Sequence, residues 1–301
     1  MISLYNKIYI IQICVFHNSI KYLFRIYYMI FLKKKGGSRF KDIHTVKICK
    51  SSDLIGIQTI KNSNEGSNDF VHVIKSVLKE YNKPVIVKIL DESSIFLQKE
   101  LNAIRRLADY EYSVQMICDF SCMDNMSRWS QNHKGNIEFC SGNRDKLHFI
   151  VYEYIEDGDI SDYLPNATQK EIACIFFQLS MAVIMLAYKY GLTHGDLHSG
   201  NILMRETDKI RIKYTYNEDS FFVQTNGFIP IFIDYGMSKR MKPDPQNIMD
   251  DIFISIQNCI PYIKSDFRNV FQTFLNGQFS KNSGSPYNYI VDIKNFIRQL
   301  T

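Results

Sequence analysis

The first 32 residues of this 301-residue chain are strongly apolar, yet they lack an uncharged run long enough to cross a bilayer. Lys7, Lys21 and Arg25 interrupt them, and the longest charge-free stretch, 8–20, is 13 positions, against the roughly 20 that a spanning helix needs. No small-residue cleavage site follows, which speaks against a secretory leader. Residues 1–35 are therefore read as a packed or interfacial extension, with membrane contact as the alternative. Acid is also scarce at this end. Residues 1–50 hold ten Lys and Arg against Asp42 alone, a net +9, while the whole chain is +5, leaving 5 − 9 = −4 for the rest. The basic character belongs to one end, where Lys33–Lys35 read first as a solvated tail, and not to a groove across the fold. No specific nucleic-acid partner is expected.

The seven cysteines, at 14, 49, 118, 122, 140, 174 and 259, lack a second close pair beside Cys118 and Cys122, so no zinc site is completed. Scattered in this way they read as buried, reduced thiols of a cytoplasmic protein. Low-complexity runs and internal repeats are absent too. With 46% apolar residues the chain has ample material for a core.

What is present reads as strands first and helices later. FKDIHTVKIC (40–49) has the β-branched alternation of a strand, and KNSNEGSNDF (61–70) is loop-like. KPVIVKIL (83–90) is a short apolar strand from which Lys88 protrudes. DESSIFLQKELNAIRRL (91–107) starts a helix at Ser93 or Ser94, with Leu97, Leu101, Ile104 and Leu107 at helical spacing. Residues 131–146 look like an exposed turn, and LHFIVYEYI (147–155) is another strand. From Thr168 a long helix, apolar nearly all round and hence buried, runs to a stop at Gly191. A hairpin centred on Asn217–Ser220, a strand at 229–233 and two or three helices complete the chain. The fold class is α+β in two lobes, 36–155 mostly β and 156–301 mostly α, with a hinge near 153–157.

Into this frame residues 192–204, LTHGDLHSGNILM, place two histidines, an aspartate and an asparagine at the edge of a buried strand. Add a strand lysine, a helix glutamate and an aspartate in FIDYG, and the inventory suits phosphoryl transfer from ATP. That reaction asks for a cation on the phosphates, oxygen ligands for Mg²⁺ and a carboxylate to orient the attacking hydroxyl.

The chain here resembles the protein kinase superfamily. His194-Gly195-Asp196-Leu197-His198-Ser199-Gly200-Asn201 stands for H-R-D-L-x-x-x-N, Asp234-Tyr235-Gly236 for D-F-G, and Val85-Ile86-Val87-Lys88 for V-A-I-K. The resemblance implies a bilobal kinase-like fold, with ATP and Mg²⁺ as cofactors. It makes Asp196 the catalytic base, assigns Mg²⁺ to Asn201 and Asp234, sets Lys88 on the phosphates, and pairs Glu100 with Lys88. Glu100 has support of its own: at helical spacing it lies on the core side, where a carboxylate needs a partner. Glu92 is the second choice. The adenine edge would meet Glu153, Tyr154 and Ile155, with Tyr152 at the back of the pocket. His198 is either a polar-turn residue or a phosphate contact, and His194 a packing residue of the loop. The D-L-H-S-G-N run looks most like haspin-type kinases and the divergent Ser/Thr kinases of large DNA viruses. An AT-rich composition, abundant in Ile, Lys, Asn and Tyr, favours the viral version.

The chain departs from the family in three places. The phosphate loop is poor in glycine, and its best candidate, CKSSDLIGIQTI, offers Ser51, Ser52 and Gly56. Gly195 replaces the arginine that usually clamps an activation-loop phosphate. Only fifteen positions separate Gly236 from Asp251, the expected anchor of the catalytic loop, and no A-P-E element occurs between them. The expectation is a monomeric Ser/Thr protein kinase with a shortened helical lobe, not switched by activation-loop phosphorylation and acting on proteins, basic ones among them. The alternatives are a small-molecule phosphotransferase of the aminoglycoside or choline kinase type, favoured by H-G-D, and a nucleotide-binding scaffold without activity.

Overall fold

A computed structural model describes residues 50–62, 71–79, 82–129, 134–135, 137–281 and 285–300. The expected extension at 1–35, the basic tail and the strand at 40–49 lie outside them.

The first half of the described chain is a curled sheet. Its strands are β1 (Leu54–Asn62), β2 (Val71–Leu78), β3 (Lys83–Asp91), β4 (Met116–Asp124), the two-residue β5 (Lys134–Gly135) and β6 (Asp145–Glu153), in the spatial order β4-β6-β3-β2-β1-β5. Every pairing is antiparallel. β3 is central and apolar on both faces: Val85, Val87 and Ile89 are fully buried on one, and Leu90 beside Lys88 on the other. A strand covered on both sides reads as a continuous apolar run rather than an alternation. Helix α1 (Ile95–Arg106) packs on the Lys88 face. Ser94 caps it by accepting the Phe96 N–H at 3.2 Å, Leu97, Glu100, Leu101, Ala103 and Ile104 face inward, and Arg105 and Arg106 sit favourably at its negative end.

Two sequence expectations are corrected in this half. The stretch 131–146 is no simple exposed turn: its described part includes β5, which adds to the free edge of β1, and Phe139, which is buried. Phe139 and Trp129, from the short helix α2 (Met126–Trp129), meet Phe149 of β6 edge-on, so two aromatic anchors hold the insert down. Nor are the thiols all reduced. Cys122 and Cys140 form a disulfide with a Cα–Cα separation of 5.5 Å, and Cys118 is disulfide-bonded as well. Cys174 and Cys259 are free and buried.

The second half is mainly helical. After the one-turn α3 (Ile160–Tyr163), α4 (Gln169–Tyr190) forms its axis, opened by a reciprocal capping box between Thr168 and Glu171 and closed by Gly191 in the left-handed region at φ 62°. α4 is long and apolar enough to cross a membrane, but most of its apolar window is buried inside the protein. Around it lie α5 (Pro245–Cys259), α6 (Ser265–Lys281) and α7 (Pro286–Gln299). Between them run four short strands: β7 (Leu192–Thr193), β8 (Ile202–Glu206), β11 (Phe228–Phe232), which pairs with β8, and β12 (Lys239–Arg240), which pairs with β7.

The hairpin of β9 (Arg211–Tyr216) and β10 (Asp219–Gln224) turns at Asn217 and Glu218, both at positive φ, as a two-residue hairpin turn of matching twist requires. Its inner face buries Ile212, Tyr214, Phe221 and Val223. It also braces the segment after α1: the Tyr214 and Tyr112 hydroxyls are hydrogen-bonded, and Lys209 pairs with Glu111 at 2.6 Å.

Thr168→Ala removes the capping box at the start of the axial helix. The expected outcome is a loss of about 1 kcal/mol in urea-unfolding free energy, with amide exchange in α1 and β3 unchanged.

Candidate active site

Lys88 is buried and its Nζ donates to two carboxylates, Glu100 Oε2 and, at 2.8 Å, Asp234 Oδ1. One partner comes from α1 and the other from the segment after β11, so the lysine ties the helix and both lobes together. Burial alone would push the ammonium's pKa down, but Glu100 and Asp234 outweigh it and hold the pKa above the usual lysine value. Burial would raise the Asp234 pKa, but Lys88 outweighs it and, with the Gly236 N–H, keeps the carboxyl below its usual range. Glu92, the second choice as partner of Lys88, instead meets Ser121, His148 and Lys146.

Glu100 has a second donor, which the sequence did not reveal. Tyr152 in β6 places its hydroxyl 2.6 Å from Glu100 Oε1. The position was legible as the back of the pocket, but nothing in its spacing announced the bond.

Below the sheet, Asn201 donates from Nδ2 to the Asp196 carbonyl at 2.8 Å and to Asp196 Oδ2 at 3.2 Å. This leaves the Asn201 Oδ1 as an oxygen donor for a cation. Ile233 N–H donates to the Asn201 carbonyl at 3.1 Å, which sets the next residue, Asp234, beside the same turn. Asp234 itself has φ 63°, rare for a residue with a side chain, and its side chain is partly exposed. An amide oxygen and a carboxylate suit Mg²⁺, a hard cation that takes few protein ligands. Asp196 is half-exposed, so its carboxylate is open to solvent.

The loop is held from behind. His194 is fully buried, and its Nε2–H donates to the Ile233 carbonyl at 2.9 Å. Burial drives its pKa down to about 4, so the ring is neutral at pH 7. Its backbone N–H donates to Asp251 Oδ2 at 3.3 Å, as the expected anchoring role requires. His198 caps the next turn, its Nδ1 accepting from Gly200 N–H at 3.1 Å, while its Nε2 lies 3.8 Å from Asp196 Oδ2. Gly195 has φ 78°, and a Cβ there would lie 2.8 Å from the backbone oxygen of Met237. An arginine is strained on that backbone.

At the hinge, Glu153 spends its N–H on the Gln115 carbonyl at 3.0 Å, and its carboxylate accepts from Arg205 and from Gln115 N–H. A base edge would meet its carbonyl rather than its amide. Tyr154 has the Lys75 ammonium 3.7 Å from its ring centroid, and Ile155 is buried.

Ser51, Ser52 and Gly56 are not brought to this site, which corrects the sequence expectation. Ser51–Asp53 form one 3₁₀ turn, closed by Asp53 accepting the Lys50 N–H at 2.7 Å. Gly56 occupies an irregularity between Ile55 and Gln58. Leu54 pairs with Leu78 and Leu78 with Lys83, whereas Lys88 is level with Val73 and Lys61. The serines thus precede the end of β1 that is level with Lys83, a point about five residues or roughly 16 Å along β3 from Lys88. Asn62 and Val71, the ends of β1 and β2 nearer Lys88, flank residues 63–70, which lie outside the described ones.

These elements define the class. Residues 59–251 match the family of protein tyrosine and serine/threonine kinases, a span that covers well over half the chain and includes Lys88, Glu100, Asp196, Asn201, Asp234 and Asp251. The chain belongs to that family, and its two lobes are a kinase-like bilobal fold. A more particular likeness is to uncharacterized protein 038R of Invertebrate iridescent virus 3: 23% identity over 171 residues, covering 46% of this chain and 31% of that protein. The chain therefore matches less than a third of that relative's length.

Two outcomes follow. Gly195→Ala is expected to cost at least about 1–2 kcal/mol in unfolding free energy and to move the Met237 segment, seen as faster hydrogen exchange there. Burial lifts the Asp251 pKa to about 6, against the lowering effect of the His194 and Gly195 N–H groups. Its folded-state pKa is above the unfolded value of 3.8, so its contribution to stability is complete below pH 3.8 and is lost as pH rises through 6. Between pH 4 and 7 the wild type should lose stability relative to Asp251→Asn, measured as the difference in urea midpoints.

Proposed function

We propose that this protein is an ATP- and Mg²⁺-dependent protein kinase. It transfers the γ-phosphate to serine or threonine of protein substrates and works without phosphorylation of an activation loop. The observation that carries the reading is the buried Lys88 held between Glu100 and Asp234. With Asp234 committed to a cation, Lys88 would still have Glu100 as its partner and an Nζ hydrogen free for a phosphate oxygen. Asn201 Oδ1 and the Asp234 carboxylate would hold Mg²⁺, which, when bound, neutralises charge on the transferring phosphoryl group. Asp196 would orient the acceptor hydroxyl and take its proton. The neutral His194, fixed to Ile233 and Asp251, keeps the loop in shape and takes no proton itself.

Independence from loop phosphorylation rests on two features. Only residues 238–244 lie between the turn at Tyr235–Met237 and α5, and two of them form β12. Gly195, where the arginine clamp would be, has a backbone on which a side chain is strained and presses on the Met237 carbonyl. The D-L-H-S-G-N run and the viral relative support a divergent kinase of the haspin-like, large-DNA-virus type. The same Gly195 favours the second reading, a small-molecule phosphotransferase, since H-G-D is the form such enzymes use.

With labelled ATP and Mg²⁺, the purified protein should phosphorylate histone or casein on serine or threonine. Asp196→Asn should reduce turnover by roughly 10²–10⁴-fold. Transfer to aminoglycosides or choline but never to protein would establish the second reading. Nucleotide binding with no transfer to any acceptor would defeat both.

A further inference from the structure

We propose that Tyr152 is a positioning residue for phosphoryl transfer, acting through Glu100 to hold α1 and Lys88 in working register. The inference rests on the kinase reading above and concerns a residue outside the Lys–Asp–Asn–Asp set. Tyr152 lies in β6, opposite Ile86 of β3, and Ile150, two residues before it on the same face, lies opposite Lys88. Lys88 and Tyr152 are therefore presented by neighbouring strands of one sheet, toward one helix.

That geometry divides a single carboxylate between two donors. Glu100 Oε2 accepts from Lys88, and Oε1 accepts from the Tyr152 hydroxyl at 2.6 Å. All three side chains are buried, Glu100 to 1% exposure and Tyr152 to 5%. One donor leaves a carboxylate free to rotate about its bond to the ammonium. Two donors on a rigid sheet fix both its position and its plane, which is the support that a preorganised site requires. The direction of the bond is also set: burial and the neighbouring Glu100 push the tyrosine's pKa well above its usual value, so it remains the donor.

The consequence for α1 is direct. Glu100 lies in the middle of that helix, and Gly236, in the turn beside Asp234, is packed against its side chain and that of Phe96. Fixing Glu100 fixes the helix against the sheet without any contribution from a phosphorylated loop. The short 238–244 segment supplies no such loop, and Tyr152 takes over part of its function.

Tyr152→Phe deletes only the hydroxyl and retains the ring. The expected results are a fall in kcat/KM for ATP of about tenfold, KM for the protein acceptor within twofold of wild type, and amide exchange in α1 at least fivefold faster while α4 is unchanged. In a Glu100→Ala background the tyrosine substitution should have no further effect on kcat/KM, which a merely space-filling role would not produce. An unaltered kcat/KM in Tyr152→Phe, or an equal loss in the Glu100→Ala background, overturns the proposal. Exchange is measured on nucleotide-free protein, so it decides the matter even if wild type transfers no phosphate. In that case the kinase reading fails, and unchanged α1 exchange would end this one too. If Tyr152→Phe does not fold, Glu100→Gln is compared with Glu100→Ala. α1 exchange should stay near wild type in Gln, which still accepts from Tyr152, and rise in Ala; equal exchange in both overturns the proposal.

Discussion

A lysine ammonium enclosed between two carboxylates is the constraint on which the rest depends. Stripping one partner from a buried ion pair generally costs about 3–5 kcal/mol, because the remaining charge has no water to return to. The pairing is therefore less a source of stability than a condition on geometry. β3 has to deliver Lys88, α1 has to turn Glu100 inward, and the chain after β11 has to bring Asp234 up from the other lobe. The left-handed backbone at Asp234 is tolerated under that condition, with Lys88 and the Gly236 N–H holding the carboxylate in place.

Behind the reacting face the loop is fastened by groups that do no chemistry. A neutral His194, the Asp251 carboxylate and the Ile233 backbone form a small polar network in a core otherwise made of aliphatic and aromatic side chains. Bonds of this kind hold a loop to one arrangement because breaking them strands buried polar groups, although the His194 Nδ1 has no partner among the described residues even here. The inserted hairpin does similar work from the other side, through paired tyrosine hydroxyls and the Lys209–Glu111 bridge.

The residues that converge on the candidate site were legible in the sequence where residue type and close spacing mark them. His194 to Asn201, Asp234 and Lys88 could be read because each sits at the end of an apolar run with a strong periodic signal. Glu100 could be read because helical spacing turned it inward. Features set by distant pairing were not legible. Ser51, Ser52 and Gly56 looked like a phosphate loop because small residues cluster there, but strand register decides which end of β1 faces Lys88. The insert around Phe139 looked exposed because two aromatic anchors among many polar residues leave no periodic trace. Tyr152 was visible only as an aromatic in a strand.

The bond between Cys122 and Cys140 fastens the returning limb of that insert to β4, while β5, within the same limb, borders β1. Material produced under strong reductant carries two thiols here in place of a tether. The redox history of a preparation is thus part of its covalent identity, and two samples of identical sequence can differ at the β4 edge of the sheet.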